Sequence, residues 1–274
     1  MIEQKSLVFT GVFVSLISVC FSLLNYFEIQ YQFYVWEFFI DVKILFLILF
    51  VIFLLKRGMF VFSVENLKIL QWSWAGNFLV FFIPLLVYLI IIAIGLLFKT
   101  VHLNDLDNKS TLVLATIFDI PAIFIFSTPS ILIEELFFRS IIFGSFQREK
   151  SFWYSAIATS ILWTIFNLTD IMGSGDGKFM NVASLMLYFF CGGIFCSALT
   201  SKYSSIWYAY SLRIGLITLM PLLLTSFTFD SDSFFVTETP FFNSEGILVA
   251  ILLVVSSILI VRKPKIEIAG NPAT

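Results

Sequence analysis

The chain has 274 residues, of which 59% are hydrophobic and 12% are charged, and its mean hydropathy is +1.00. Soluble domains are about 45–50% apolar and about 25% charged, so a soluble core of this size could not bury so much apolar surface. The net charge of -2 gives no reason to expect a nucleic-acid partner. Composition therefore predicts an integral membrane protein in contact with the lipid bilayer.

Apolar runs of about 20 residues, the length that crosses a bilayer, recur along the chain. They predict an all-α, polytopic membrane protein with about eight transmembrane helices. The predicted spans are residues 7–27, 38–55, 77–98, 111–133, 152–168, 179–199, 205–227 and 246–261. Pro84 predicts a soft break in the third span. The helical pattern of the fourth span continues as far as Phe146.

The distribution of Lys and Arg predicts the orientation, because cytoplasmic loops of membrane proteins are enriched in these residues. With the N-terminus in the cytoplasm, the eight spans put most of the basic loop residues on the cytoplasmic side. These are Lys5, Lys56, Arg57, Lys68, Arg148, Lys150, Lys202, Arg262, Lys263 and Lys265. We therefore expect both termini in the cytoplasm, one membrane domain over residues 1–274, and a flexible cytoplasmic tail over residues 263–274.

The cysteines and the histidine give no metal or disulfide signature. Cys20, Cys191 and Cys196 all lie in apolar runs without a CxxC spacing, which favours buried hydrophobic side chains. His102 is the single histidine of the chain and falls in a predicted outer loop. We accordingly expect no cofactor and no bound metal.

Chemistry is expected where ionisable residues lie inside apolar runs, since such groups usually face the bundle interior with a partner. Glu134, Glu135 and Arg139 follow the fourth apolar run. Arg139 is four residues after Glu135 and can pair with it on one helix face. Glu134 then points elsewhere and is left free, an arrangement suited to general-base work on water. The alternative is a helix end whose charges reach the membrane interface.

Two further polar residues lie at membrane depth. Arg213 has about eight apolar or small residues on each side, too deep to reach the interface, so it should point inward to a carboxylate. Asn167, at the end of the fifth run, is a hydrogen-bonding group that needs partners when buried. Its alternative interpretations are interhelical packing and an ordinary helix terminus.

These residues carry a resemblance to a known family. Glu134-Glu135-x-x-x-Arg139 resembles the first motif of the CPBP family, which comprises CAAX-type prenyl endopeptidases and the bacterial bacteriocin-processing or immunity proteins, also called Abi. Trp163-Thr-Ile-Phe-Asn167 stands where that family has Phe-x-x-x-His. Gly192-Gly193, Ser205-Ile206-Trp207 and Arg213-Ile-Gly-Leu-Ile217 follow in the order of its later motifs. The resemblance covers residues 111–227, which we define as the CPBP-like core.

The chain departs from the family pattern at the residues that support catalysis. The resemblance implies that the first Glu activates a water, assisted by two histidines and an Asn or Asp, and in some accounts by a metal. Asn167, Arg213 and Ile217 occupy those three supporting positions here. Histidine exchanges protons near neutral pH, whereas asparagine does not and arginine stays protonated.

Three hypotheses follow from the resemblance. The favoured one is a pseudoenzyme in which Glu134, Asn167 and Arg213 form a buried polar network. It would bind a peptide, toxin or membrane protein, in bacteriocin self-immunity or as a regulator of a cell-envelope protein. The alternative is an active intramembrane endopeptidase that cleaves prenylated or leader peptides, with Glu134 as base, Arg213 as oxyanion stabiliser and Asn167 as positioner. A transporter-like protein is the third. The family implies a multi-pass protein of the bacterial plasma membrane.

Overall fold

The computed structural model of the chain describes residues 48–49, 52, 72–99, 101–103, 110–168, 171, 179–224, 235–237 and 246–262. The helices are α1 Trp74–Phe81, α2 Ile83–Leu97, α3 Ser110–Glu135, α4 Gly144–Glu149, α5 Phe152–Phe166, α6 Phe179–Tyr203, α7 Trp207–Leu224 and α8 Ile247–Arg262. A π-helical segment, Leu136–Phe143, joins α3 to α4. The strands are β1 Val101–Leu103 and β2 Phe235–Thr237.

The predicted helical architecture is confirmed for the described part of the chain, where the predicted third to eighth spans are helices. The first predicted span and the tail over residues 263–274 lie outside the described residues, as does the second span apart from Ile48, Leu49 and Ile52. The short antiparallel sheet of β1 and β2 was not predicted. It pairs His102 with Val236, so the predicted loop around the histidine contains a strand.

Local sequence explains the break between the first two helices. The Ser73 side chain caps α1 by accepting a hydrogen bond from the backbone N–H of Gly76 at 3.3 Å. The chain turns at Phe82, and Pro84 lies in the first turn of α2, where its missing N–H costs nothing. The predicted soft break is therefore confirmed. Among the described residues, two stretches are long and apolar enough to cross a membrane: Trp74–Leu97, which joins α1 and α2, and α6.

Helices α6 and α7 form the centre of the bundle. α6 packs against α5, α7 and α8, and α7 also packs against α1, α2 and α3. Glycines permit two of these approaches: a Cβ on Gly193 of α6 would lie 2.7 Å from Ser160 Oγ of α5, and one on Gly215 of α7 would overlap the carbonyl oxygen of Phe81. Small residues allow such close contact between helices.

The helix that carries the two adjacent carboxylates changes its winding directly after them. α3 ends at Glu135, and the next eight residues are π-helical before α4 begins. The predicted continuation of the helix to Phe146 is confirmed, although its π-helical geometry was not predicted. π-Helical turns are rare and frequently occur at functional sites. Here the wider turn contains Arg139, which is fully buried.

We predict that Gly215→Ala destabilises the protein by about 1–3 kcal/mol, because the new methyl group meets backbone that has little freedom to move. Gly144→Ala is the matched control, since a Cβ there makes only an ordinary contact, 3.9 Å from the Arg139 carbonyl oxygen. Thermal unfolding in detergent micelles measures both. Equal melting temperatures for the two variants would contradict the close approach of α1 and α7.

Candidate functional site

Glu134, at the C-terminal end of α3, is bound by two side chains from other helices. Its Oε2 atom lies 2.8 Å from Arg213 Nη2 of α7 and accepts a hydrogen bond of 3.2 Å from Trp163 Nε1 of α5. The interpretation of Glu134 as a free carboxylate was therefore wrong, whereas the contact between Glu134 and Arg213 that the favoured hypothesis requires is present. Spacing along one helix could not reveal partners that approach from α5 and α7. The prediction that Arg213 points inward to a carboxylate is confirmed, and the side chain is 8% exposed.

Glu135 is fully buried and lies between two guanidinium groups. Arg213 Nη1 donates to its Oε1 atom at 3.1 Å. Arg139 Nε lies 3.4 Å from its Oε2 atom, which confirms the predicted pair four residues apart. Arg139 Nε and Glu135 Oε2 attract each other as opposite charges, but their geometry is not that of a hydrogen bond. On its other side Arg139 donates from Nη1 to Ser197 Oγ of α6 at 3.3 Å.

The four charged residues form one electrically balanced cluster. Two carboxylates, Glu134 and Glu135, face two guanidiniums, Arg139 and Arg213, and each residue is at most 8% exposed. Buried charges are tolerated when paired, because an isolated charge in an apolar interior pays a large desolvation cost. We call these four residues the charge cluster. The interpretation of Glu134 and Glu135 as a helix end exposed at the interface does not hold for side chains buried to this degree.

Trp163 is the site residue that sequence reasoning missed. Its ring lies 5.1 Å from the Arg139 guanidinium carbon and 4.9 Å from that of Arg213. Both are cation–π contacts, which gain strength when they are desolvated. The available signal was its position at the start of the second motif, one helical turn before Asn167. Tryptophan in an apolar helix is ordinary core composition, so that signal was weak.

Asn167 joins the cluster indirectly. It is the C-cap residue of α5 and is 4% exposed, and its side-chain amide donates to the carbonyl oxygen of Trp163 at 2.9 Å. This geometry supports the interpretation of Asn167 as a helix terminus. By binding the backbone carbonyl of Trp163, Asn167 also holds the end of α5 that carries the indole. The motif residues thus converge on one site, with Asn167 as an outer member.

Residues 116–216 match the model of the family described as Type II CAAX prenyl endopeptidase Rce1-like. This segment is therefore similar to that family. It contains Glu134, Glu135, Arg139, Asn167 and Arg213, and the match confirms the resemblance found in the sequence. The family is membrane-integral, in agreement with the two stretches long enough to span a bilayer. No curated protein and no solved structure shows significant similarity to the chain.

The described part of the matched segment, residues 116–168, 171 and 179–216, does not offer a set of ligands that fits a metal ion. Within the described residues, no three His, Cys, Asp or Glu side chains are grouped to hold one. Glu134 is already paired with a guanidinium at 2.8 Å, and that fixed positive charge would repel a cation. Cys191 and Cys196 are free and buried, and Asn167 bonds its own helix.

We predict that Arg213→Met destabilises the protein by about 3–5 kcal/mol, because it leaves buried carboxylate charge without its partner. The double variant Glu134→Gln/Arg213→Met should recover a large part of that loss, since it removes one charge of each sign. Thermal unfolding in lipid nanodiscs measures both, with Lys150→Met on the exposed α4–α5 turn as the control. A double variant less stable than the single one would contradict a charge-balanced cluster.

Proposed function

We propose that this CAAX-protease-like membrane protein is a catalytically impaired scaffold that binds a partner between its helices rather than cleaving it. The supporting observation is the ion pair of 2.8 Å between Glu134 and Arg213. Glu134 holds the position that the family resemblance assigns to the base, and in this chain a permanent cation occupies that carboxylate.

The contacts of Glu134 are those of a structural carboxylate. A general base must present an oxygen lone pair to water and must be able to accept its proton. Oε2 of Glu134 instead receives donors from both Arg213 and Trp163. No histidine stands at either supporting motif position, and the amide of Asn167 is engaged with its own helix. The arrangement favours a fixed network over proton transfer.

The partner that we propose is a peptide, a toxin or another membrane protein. By family resemblance, its context is bacteriocin self-immunity or the regulation of a cell-envelope protein in the bacterial plasma membrane. A charge cluster that ties α3, α5, α6 and α7 together would keep a fixed arrangement of helices available to such a partner. Fold resemblance alone does not assign the biological role, so the cleavage assay described below tests the proposal.

A second candidate is an active endopeptidase for prenylated or leader peptides. The observation in its favour is the guanidinium of Arg213, held in place by Glu134 and Glu135. A preorganised cation next to a carboxylate can stabilise a developing oxyanion. Under this alternative Glu134 would have to leave Arg213 when substrate binds.

We also propose the full membrane arrangement: one domain over residues 1–274 with eight spans and both termini in the cytoplasm. Trp72 and Trp207 pack at 4.8 Å, which places the starts of α1 and α7 at one end of the bundle. Gln147 donates to Ser201 at 2.7 Å, which brings the ends of α4 and α6 to that same end. The basic residues at that end, Arg148 and Lys150, support its assignment to the cytoplasm. Aromatic residues there are typical of either membrane interface. They are Trp72, Trp74, Trp153, Tyr154 and Trp207.

A cleavage assay tests the proposed function. We expect the wild-type protein in proteoliposomes to cleave neither prenylated nor leader-type peptides, and Glu134→Ala to be indistinguishable from it. The variant Asn167→His/Arg213→His should gain cleavage, because it restores proton-exchanging side chains at both motif positions. An active CAAX endopeptidase in the same liposomes sets the detection limit. Wild-type cleavage that disappears in Glu134→Ala would establish the second candidate instead.

Cysteine labelling tests the orientation. In a background with Cys20, Cys191 and Cys196 replaced by Ala, Lys150→Cys should react with a membrane-impermeant maleimide only from the cytoplasmic face. Phe98→Cys, at the opposite end of α2 and 67% exposed in the wild type, should react only from the outer face. The reverse pattern would invert the topology, and labelling of both from one face would overturn the single span predicted between them.

A further inference from the structure

Trp163 contacts four of the five predicted site residues: Glu134, Arg139, Asn167 and Arg213. Its indole N–H donates to Glu134, and its ring lies against both guanidiniums. The charged groups of Arg139 and Arg213 lie at 5.1 and 4.9 Å from the ring centroid. Its backbone carbonyl accepts the amide of Asn167 at 2.9 Å. Sequence comparison assigned no role to this residue.

The surroundings of Trp163 hold the indole in one orientation. The side chain is 5% exposed, and its ring packs against Phe189 of α6 with ring centroids 5.3 Å apart. Gly192 of α6 has no side chain, and a Cβ there would lie 3.9 Å from the indole ring. The Asn167 amide fixes the last turn of α5 below it. Rotation of the indole away from Glu134 would therefore require movement of α5 against α6.

The indole N–H separates this residue from a purely apolar core residue. Phenylalanine would keep a smaller aromatic ring that still faces Phe189 and the guanidiniums, but it would lose the donor to Glu134. With that donor, Glu134 Oε2 is held from two directions, by α5 through Trp163 and by α7 through Arg213. Without it, Arg213 alone restrains the carboxylate on that side.

We propose that Trp163 is a positioning residue that holds Glu134 against Arg213 and thereby keeps the candidate site closed. This inference rests on the proposed function, because it describes how the locked state is maintained. The difference in burial between the two ion pairs of the charge cluster supports this proposal. Glu135 and Arg139 are both 0% exposed, whereas Glu134 and Arg213 are 7% and 8% exposed, so the pair that Trp163 secures is the one on the accessible side.

The test is the reactivity of Glu134 toward dicyclohexylcarbodiimide, a lipid-soluble reagent that forms adducts with carboxyl groups released from ion pairs. In the full-length protein in proteoliposomes, Trp163→Phe should give about tenfold more adduct on Glu134, as expected for the loss of one charge-assisted hydrogen bond. Peptide mass spectrometry separates adducts on Glu134 from those on Glu135. The added signal should vanish in Trp163→Phe/Glu134→Gln.

Trp153→Phe is the matched control, because Trp153 lies on the same helix and is 39% exposed. It should label like the wild type. Equal labelling of Glu134 in the Trp163 and Trp153 variants would overturn the proposal. Labelling of Glu135 together with Glu134 would also count against it, since that pattern reports general unfolding of the cluster and not release of one carboxylate.

A second measurement tests the same hydrogen bond without substituting Trp163. In protein labelled with 5-fluorotryptophan, the ¹⁹F resonance of Trp163 should shift in Glu134→Gln, while those of Trp153 and Trp207 stay unchanged. An unshifted Trp163 resonance would show that its N–H does not bind this carboxylate. Both readouts are independent of cleavage. Cleavage by the wild type with these results intact would refute the proposed function and leave the positioning role of Trp163 standing.

Discussion

The structure depends on the requirement that four charges buried in an apolar bundle cancel one another. Glu134 and Glu135 come from α3, Arg139 from the π-helical segment and Arg213 from α7. Each charge would be costly alone, so α3 and α7 are constrained to the register in which they meet. α5 and α6 contribute the neutral groups that complete the cluster, the indole of Trp163 and the hydroxyl of Ser197. The glycines of α6 and α7 allow these helices to approach closely enough for those contacts.

The requirement that the buried charges cancel also affects whether Glu134 could activate water. The resemblance assigns Glu134 to the activation of water, and under the proposed function the carboxylate that neutralises Arg213 is not available as a free base. Replacing a histidine by an arginine therefore changes more than one side chain, because it gives the base a permanent partner. Glu135 and Arg139 form the fully buried half of the cluster, and Glu134 and Arg213 form the half that retains slight exposure. Under the proposed function, the first pair is structural and the second is the part that would face a partner.

Much of the described fold follows from local sequence. Apolar runs located the helices, Pro84 located the break before α2, and spacing of four residues located the Glu135–Arg139 pair. The depth of Arg213 in its apolar run was enough to predict an inward carboxylate partner. The family resemblance selected Asn167 as a motif residue, although its geometry is that of a helix cap.

Other features could not be predicted because they arise where separate helices converge. Periodicity does not distinguish a π-helical turn from an α-helical one over eight residues, so the winding around Arg139 was missed. The partners of Glu134 come from positions 29 and 79 residues further along the chain, which no local pattern connects.

The central claim is the contact between Glu134 and Arg213. Solid-state NMR in bilayers, with ¹³C in Glu and ¹⁵N in Arg side chains, measures it most directly. The account predicts dipolar coupling between the Glu134 carboxylate and the Arg213 guanidinium in direct ion-pair contact. Absence of that coupling, with the Glu135–Arg213 coupling present, would show a free Glu134 and contradict the locked site.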